Sequence, residues 1–256
     1  DFERDEGKLL TCCATPRSDV TIEAEIDIDE DIEMAPVEDY LGTLVEKTKI
    51  AKDTLRLMVE LVRDIAFNAG QYMKFTVPAS QSGAAVDRTW SIGSPPADSR
   101  RLEFHVRLVP GGRGTAGWVF DGLAVGDTFS MSGPYGRFVL HTGEDNHTIM
   151  VAGGTGLAPI KAMLRHGLKH AAYGGEMSLY QGGRSREWLD DVDYFTALAR
   201  EFEQFTYRPC LSEETAEEVA ADGGDPTAYA YGMVADVIAA DHASLSGCKG
   251  YLCGHR

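Results

Sequence analysis

Two short segments carry residue types that could do cofactor chemistry. The first is Gly153-Gly154-Thr155-Gly156-Leu157-Ala158-Pro159, set between the apolar run Thr148-Ile149-Met150-Val151-Ala152 and an amphipathic stretch. Glycines here permit a tight turn and let the backbone approach a bulky anion. A helix beginning behind them would offer free N–H groups and a favourable dipole to a pyrophosphate. Pro159 suits the first helical turn, where its missing N–H costs nothing. A turn that bound nothing would have little use for three glycines in four residues, because each one costs chain entropy. The pattern is neither G-x-G-x-x-G nor a Walker loop, which needs Gly-Lys-Ser/Thr.

The second segment is Arg88-Thr89-Trp90-Ser91, followed by Ile92-Gly93-Ser94-Pro95. An arginine can pair with a diphosphate, an indole can stack on a flat ring, and a serine hydroxyl can donate to a ring nitrogen. Taken alone, these residues read better as a salt-bridged arginine, a core tryptophan and a turn serine. Their meaning depends on the elements that hold them.

From Val37 to Leu140 those elements are strands. Tyr40–Val45, Leu55–Leu61, Tyr72–Val77 and Leu102–Leu108 alternate apolar with polar residues, and Gly, Pro, Asp and Ser clusters separate them. Short strands with this punctuation predict an antiparallel barrel, with one helix near Gly117–Gly122. From His147 the rhythm changes. Thr148–Ala152 reads as a buried parallel strand, because it is apolar almost without interruption. Helices are expected over Leu157–His170, Asp191–Phe202 and Val234–Ala240, with strands at Met177–Tyr180, Phe205–Pro209 and Gly250–Cys253. That alternation predicts a β-α-β-α-β nucleotide-binding sheet.

Composition fits two domains. The 256 residues are 43% hydrophobic and 25% charged, within the ordinary globular range. A net charge of −16 argues against a nucleic-acid partner, since a phosphate backbone would be repelled. No apolar run is long enough for a bilayer, and the N-terminal residues lack a basic-then-apolar leader pattern. A cytoplasmic protein with no membrane partner is expected. Five cysteines in such a chain point to individual thiols or metal ligation rather than disulfides. His105, His141, His147 and His166 show no metal-ligand spacing and read as surface or barrel residues. Glu213-Glu214 and Glu217-Glu218 read as a solvated face.

In combination and in order, these segments resemble the ferredoxin–NADP reductase superfamily, in particular the reductase components of bacterial methane-, phenol- and propane-type monooxygenases. Phe67-Asn68-Ala69-Gly70-Gln71-Tyr72 resembles the family's F-x-x-G-Q-Y/F strand, Arg88–Ser91 its R-x-Y-S flavin motif, and Gly133-Pro134-Tyr135-Gly136 its G-P-x-G turn. Val109–Thr115 is similar to its phosphate loop, with one extra residue before Trp118, and Gly153–Pro159 to its G-G-T-G-x-A-P. Tyr180–Arg184 and Tyr251–Gly254 are similar to its later motifs.

The resemblance implies a six-stranded FAD-binding barrel over 37–142 and a parallel-sheet NAD(P)-binding domain over 143–256, incomplete at its C-terminus. It implies that Arg88 binds the FAD pyrophosphate with Gly112, Gly114 and Thr115, and that Ser91 lies near the flavin N5. Thr89, Trp90 (in place of the usual tyrosine) and Val106 complete the flavin site. Gly153, Gly154, Thr155, Gly156 and Pro159 would hold the nicotinamide dinucleotide, with Arg184 at its adenosine ribose and Cys253 against the nicotinamide. NADH is favoured over NADPH.

Leu9–Asp19 resembles the tail of a plant-type [2Fe–2S] domain, with Cys12 its last cluster ligand. Residues 1–20 are therefore expected to be the end of such a domain and 21–36 an acidic linker. The C-x₄-C-x₂-C set is absent from these residues, so the cluster is expected in a parent protein only. The implied activity is hydride transfer from the nicotinamide to FAD, then single-electron delivery to an oxygenase component. A stand-alone ferredoxin or flavodoxin reductase and a non-catalytic flavin-binding remnant are the alternatives.

Overall fold

The computed structural model describes residues 17–21, 32–79, 83–143, 145–171 and 173–254. Cys12, Cys13 and the acidic stretch 22–31 lie outside them. The chain divides into two units, 1–33 and 34–256, and both sheets belong to the second.

Six antiparallel strands form the first sheet: β1 (Glu38–Ala51), β2 (Thr54–Leu61), β3 (Tyr72–Val77), β4 (Val86–Ser91), β5 (Arg101–Arg107) and β6 (Thr128–Tyr135). Their order is β4-β3-β6-β1-β2-β5. A bridge between Ile92 and Phe104 joins the two ends, so the sheet closes as the barrel that the alternation predicts. Leu44, Leu57, Val59, Met73, Phe75, Phe104 and Val106 fill its interior. β1 runs six residues past the expected Val45, with register shifts at Leu44/Glu46 and Lys49/Ala51. Its extension is polar and gives no alternation to read; pairing with β2 across the left-handed turn at Asp53 (φ 55°) forms it.

The second sheet is parallel: β7 (Thr148–Gly153), β8 (Met177–Gly183), β9 (Phe205–Leu211), β10 (Ala230–Tyr231) and β11 (Lys249–Cys253), in the order β10-β9-β8-β7-β11. The chain starts at β7, builds outward to β10, and returns to the other side of β7 with β11. The strand order thus reverses between β7 and β11, and ligands of open α/β sheets bind in the crevice beyond such a reversal. Helices α1 (Leu157–Lys169), α2 (Val192–Glu201), α3 (Ala216–Ala221) and α4 (Val234–Asp241) supply the crossovers. α1 packs on β7 and β11 and also touches β5 of the barrel. The expected glutamate face is in part structural. Glu218 closes a capping box with Thr215 at the start of α3, and the Glu214 side chain is 13% exposed. Among the described residues no helix is long and apolar enough to cross a membrane.

Candidate functional site

β4 carries the first motif on an unusual strand. It is paired to β3 along its length, yet every residue on it is exposed or half-buried. Arg88 and Thr89 are exposed, while Trp90 and Ser91 are half-buried. Trp90 is held edge-on by Phe75 (4.7 Å between centroids) and lies nearly parallel to Trp118 at 6.3 Å. Among the described residues Arg88 meets no carboxylate; its hydrogen bond goes to the Asp87 carbonyl oxygen at 2.7 Å. An unpaired guanidinium beside a rigid indole on an open strand is what a flat anionic ligand needs.

The expected helix between β5 and β6 begins four residues before its predicted start. It is a π-helical turn over Arg113–Phe120, with Gly117 N–H donating to Gly112 O at 3.1 Å and Asp121 N–H to Ala116 O at 3.0 Å. Each i→i−5 hydrogen bond closes around one more residue than in an α-helix. Among the described residues the amides of Arg113, Gly114, Thr115 and Ala116 have no backbone acceptor. Gly114, among them, lies beside Arg88, because a Cβ on it would come within 2.6 Å of Arg88 Cγ. The Thr115 hydroxyl is engaged within its own loop, accepting from Val109 N–H at 3.1 Å. Val106 is fully buried in the barrel core, so only its main chain is available to a ligand. An arginine without an acid, next to four free amides, fits a diphosphate.

Gln71, which is fully buried, ties three of the motifs together. Its Oε1 accepts from Asn68 N–H at 2.8 Å, its Nε2 donates to Gly136 O at 3.0 Å, and its carbonyl accepts from Ile92 N–H at 2.9 Å. The F-x-x-G-Q-Y and G-P-x-G segments are thus braces for the end of β4.

The glycine loop after β7 is a single 3₁₀ turn, Gly154–Gly156, running into α1. Gly154 needs its left-handed backbone (φ 52°), and a Cβ there would meet nothing within 4 Å. Gly156 faces the opposite constraint: a Cβ would lie 2.2 Å from Cys253 O. Two of the glycines are therefore required by the fold itself, and glycine content alone does not signal a ligand. The stronger signal is the start of α1, which has neither a side-chain cap nor an acidic residue in its first turn. The Leu157 N–H is taken by Gly154 O and Pro159 has none, so the attraction for an anion there rests on the helix dipole. Thr155 is half-buried and Pro159 is buried. Cys253 pairs with Ala152 across β7 and β11 at the strand-order reversal. Burial pushes its thiol pKa up, so it stays neutral, a packing group rather than a nucleophile.

Arg184 is exposed and stands 3.8 Å from Glu213. Arg186 is clamped, donating to Glu214 at 2.7 Å and to Asp222 at 2.8 Å.

The chain matches the oxidoreductase FAD-binding domain family over residues 41–140 and the oxidoreductase NAD-binding domain family over residues 150–256. It is 36% identical, over 99% of its length, to the reductase component of phenol 2-monooxygenase from Pseudomonas sp. strain CF600. The chain belongs to the ferredoxin–NADP reductase superfamily. It is an NAD(P)H-dependent oxidoreductase with FAD as its flavin. The propane 2-monooxygenase reductase component of Gordonia sp. strain TY-5 is 30% identical over 99% of the chain. The crystal structure of the Amycolatopsis cytochrome P450 reductase superposes with a TM-score of 0.74 at 36% identity, covering 85% of this chain. This chain spans 69% and 71% of the two curated relatives and 62% of that solved chain.

Sequence reasoning missed one group of residues here: Glu103, His105, Lys161, Asp190 and Asp191. Glu103 and His105 occupy the polar positions of an alternating strand, which normally face water. Both are buried.

Proposed function

We propose that this chain takes hydride from NADH onto FAD and passes electrons singly to an oxygenase component, by way of a [2Fe–2S] centre in the whole reductase. The observation that carries the reading is where the two motifs meet. The turn after Ser91 abuts the start of α1, so that a Cβ on Gly93 would lie 3.6 Å from Ala158 Cβ. The relatives' names supply the oxygenase as acceptor. FAD, when bound, would supply the conversion of a hydride into single electrons.

The chain's own residues orient and enclose. Arg88 and the amides of Arg113–Ala116 would hold the flavin diphosphate, while Trp90, backed by Trp118, would present a rigid face to its ring system. Ser91 would offer its hydroxyl to N5. Gly154, Thr155 and the uncapped start of α1 would take the nicotinamide's pyrophosphate. Cys253, neutral and half-buried, would lie against its ring and exclude water. No general acid or base is required.

The surroundings of Arg184 favour NADH over NADPH. Ser185, Glu213, Glu214, Glu218 and Asp222 line the hollow where an adenosine ribose would lie. Hydrogen bonds from Arg186 hold the Glu214 carboxyl below its ordinary pKa. These carboxylates would accept from a ribose diol and repel a 2′-phosphate. Anaerobic titration of the purified, FAD-loaded chain tests both claims. NADH is expected to bleach the yellow colour at lower concentration than NADPH. A chain that binds no FAD, or whose FAD is not bleached, overturns the reading.

A further inference from the structure

On the face of β5 turned away from the barrel core, a buried ion cluster joins the two halves of the 34–256 unit. Lys161 Nζ of α1 donates to Glu103 Oε1 at 2.7 Å, and His105 Nε2 lies 2.7 Å from the same oxygen. Lys161 also donates to Asp191 Oδ2 at 2.5 Å, beside the Tyr194 ring. On its other side His105 Nδ1 stands 3.2 Å from Asp190 Oδ2, within ion-pair range but off the hydrogen-bond line. Arg56 of β2 stands 3.7 Å from Asp191. The side chains of His105, Lys161 and Glu103 are 0%, 5% and 6% exposed. Three carboxylates thus face three cations, and the Lys161 ammonium fills the place between Glu103 and Asp191 that a metal ion would need.

Glu103 grips both ligand motifs. Its main chain holds the turn after Ser91, accepting from Gly93 N–H at 2.7 Å and donating to Ser94 Oγ at 3.2 Å. Its side chain holds Lys161, which is two residues beyond Pro159 on the helix that follows the glycine loop. Asp190 and Asp191 come from the segment before α2, so β8's crossover is held as well. Buried charges contribute little net stability, but breaking one partner leaves an uncompensated charge, so they enforce a single arrangement.

We propose that Glu103, His105 and Lys161 are positioning residues for hydride transfer, fixing the nicotinamide half on the barrel and with it the approach of the two rings. The proposal rests on the flavin–nicotinamide reading above. Misplacement by about 1 Å can cost a reaction roughly 100-fold in rate, so a rigid joint between the motifs has a direct use.

The joint is sensitive to pH. Burial disfavours a charged ring, but Asp190 and Glu103 outweigh it and hold the His105 pKa up at about 9. The groups facing His105 are Glu103 on its own strand, Arg56 on β2, Lys161 on α1, and Asp190 and Asp191 before α2. With its pKa raised on folding, the ring's contribution is full below its ordinary 6.5 and is lost as pH rises through about 9.

The test uses the FAD-loaded chain with His105→Gln and Lys161→Met. Hydrogen exchange reads β5 and α1, and anaerobic stopped flow reads flavin reduction by NADH. Both variants are expected to keep the bound-flavin spectrum, to reduce more slowly by about tenfold or more, and to exchange faster in β5 and α1. Wild type is expected to show the same changes as pH rises through about 9, and His105→Gln to lose that inflection. A purely structural role would lower the Tm but leave the reduction rate and the inflection in place, and that result overturns the proposal. Should a single variant fail to fold, the Glu103→Gln/Lys161→Met pair is read by the same criteria. A wild-type pH profile without the inflection also overturns it. If wild-type FAD is not bleached at all, the proposed function fails instead, and the exchange measurements still test the cluster.

Discussion

Glycines in the loop after β7 have different reasons to exist, and a methyl group separates them. Gly156→Ala would press its Cβ against the Cys253 carbonyl, which as backbone cannot move aside. It is expected to cost about 1–3 kcal/mol, seen as a lower Tm. Gly153→Ala, with its nearest neighbour at 3.9 Å, is expected to leave Tm unchanged. Arg88→Ala separates ligand from fold in the same way. Its one hydrogen bond among the described residues is to its own neighbour's carbonyl, so the cofactor-free protein should unfold as before. FAD affinity should fall roughly 10- to 100-fold by fluorescence titration, matching about 1.5–3 kcal/mol for bonds to a charged group. Arg88 and Gly153–Gly156 were legible in the sequence because their types are chemically distinctive. Glu103 was not, since its side chain binds Lys161, 58 residues away.

At the scale of elements, β5 shows where alternation misleads. Leu102, Phe104 and Val106 face the barrel as the pattern predicts, but the opposite face meets α1 rather than water. The acid limb of stability should reveal it. Burial works against the Glu103 carboxylate, yet His105 and Lys161 outweigh it and hold its pKa down at about 2. Its contribution is therefore complete above the ordinary 4.5 and is lost as pH falls toward 2. Denaturant unfolding between those values should show a progressive loss in wild type and a flatter limb in Glu103→Gln. The variant should also be weaker at neutral pH, by up to about 3–5 kcal/mol, as for one broken partner of a buried pair. The π-helical turn was legible only in part. A helix near Gly117–Gly122 could be expected, but its earlier start and its π-type hydrogen bonds come with packing against β3, β4 and β5.

At the scale of the molecule, both sheets and every residue of the candidate site except Cys12 lie within 34–256. A protein of residues 34–256 alone is therefore expected to fold, bind FAD and reduce ferricyanide with NADH. Loss of the flavin spectrum on removing 1–33 would count against that independence.

The sequence by itself determined the barrel and the parallel sheet that follows it, and it singled out the two candidate motifs. Each of these is written in local periodicity and in residues whose chemistry is specific to their type. The tertiary structure alone decided that Gly156 is demanded by Cys253, that Arg88 lies beside the Gly114 loop, and that Glu103, His105 and Lys161 form one buried joint. These are contacts between segments up to about a hundred residues apart, and only the folded chain brings such partners together.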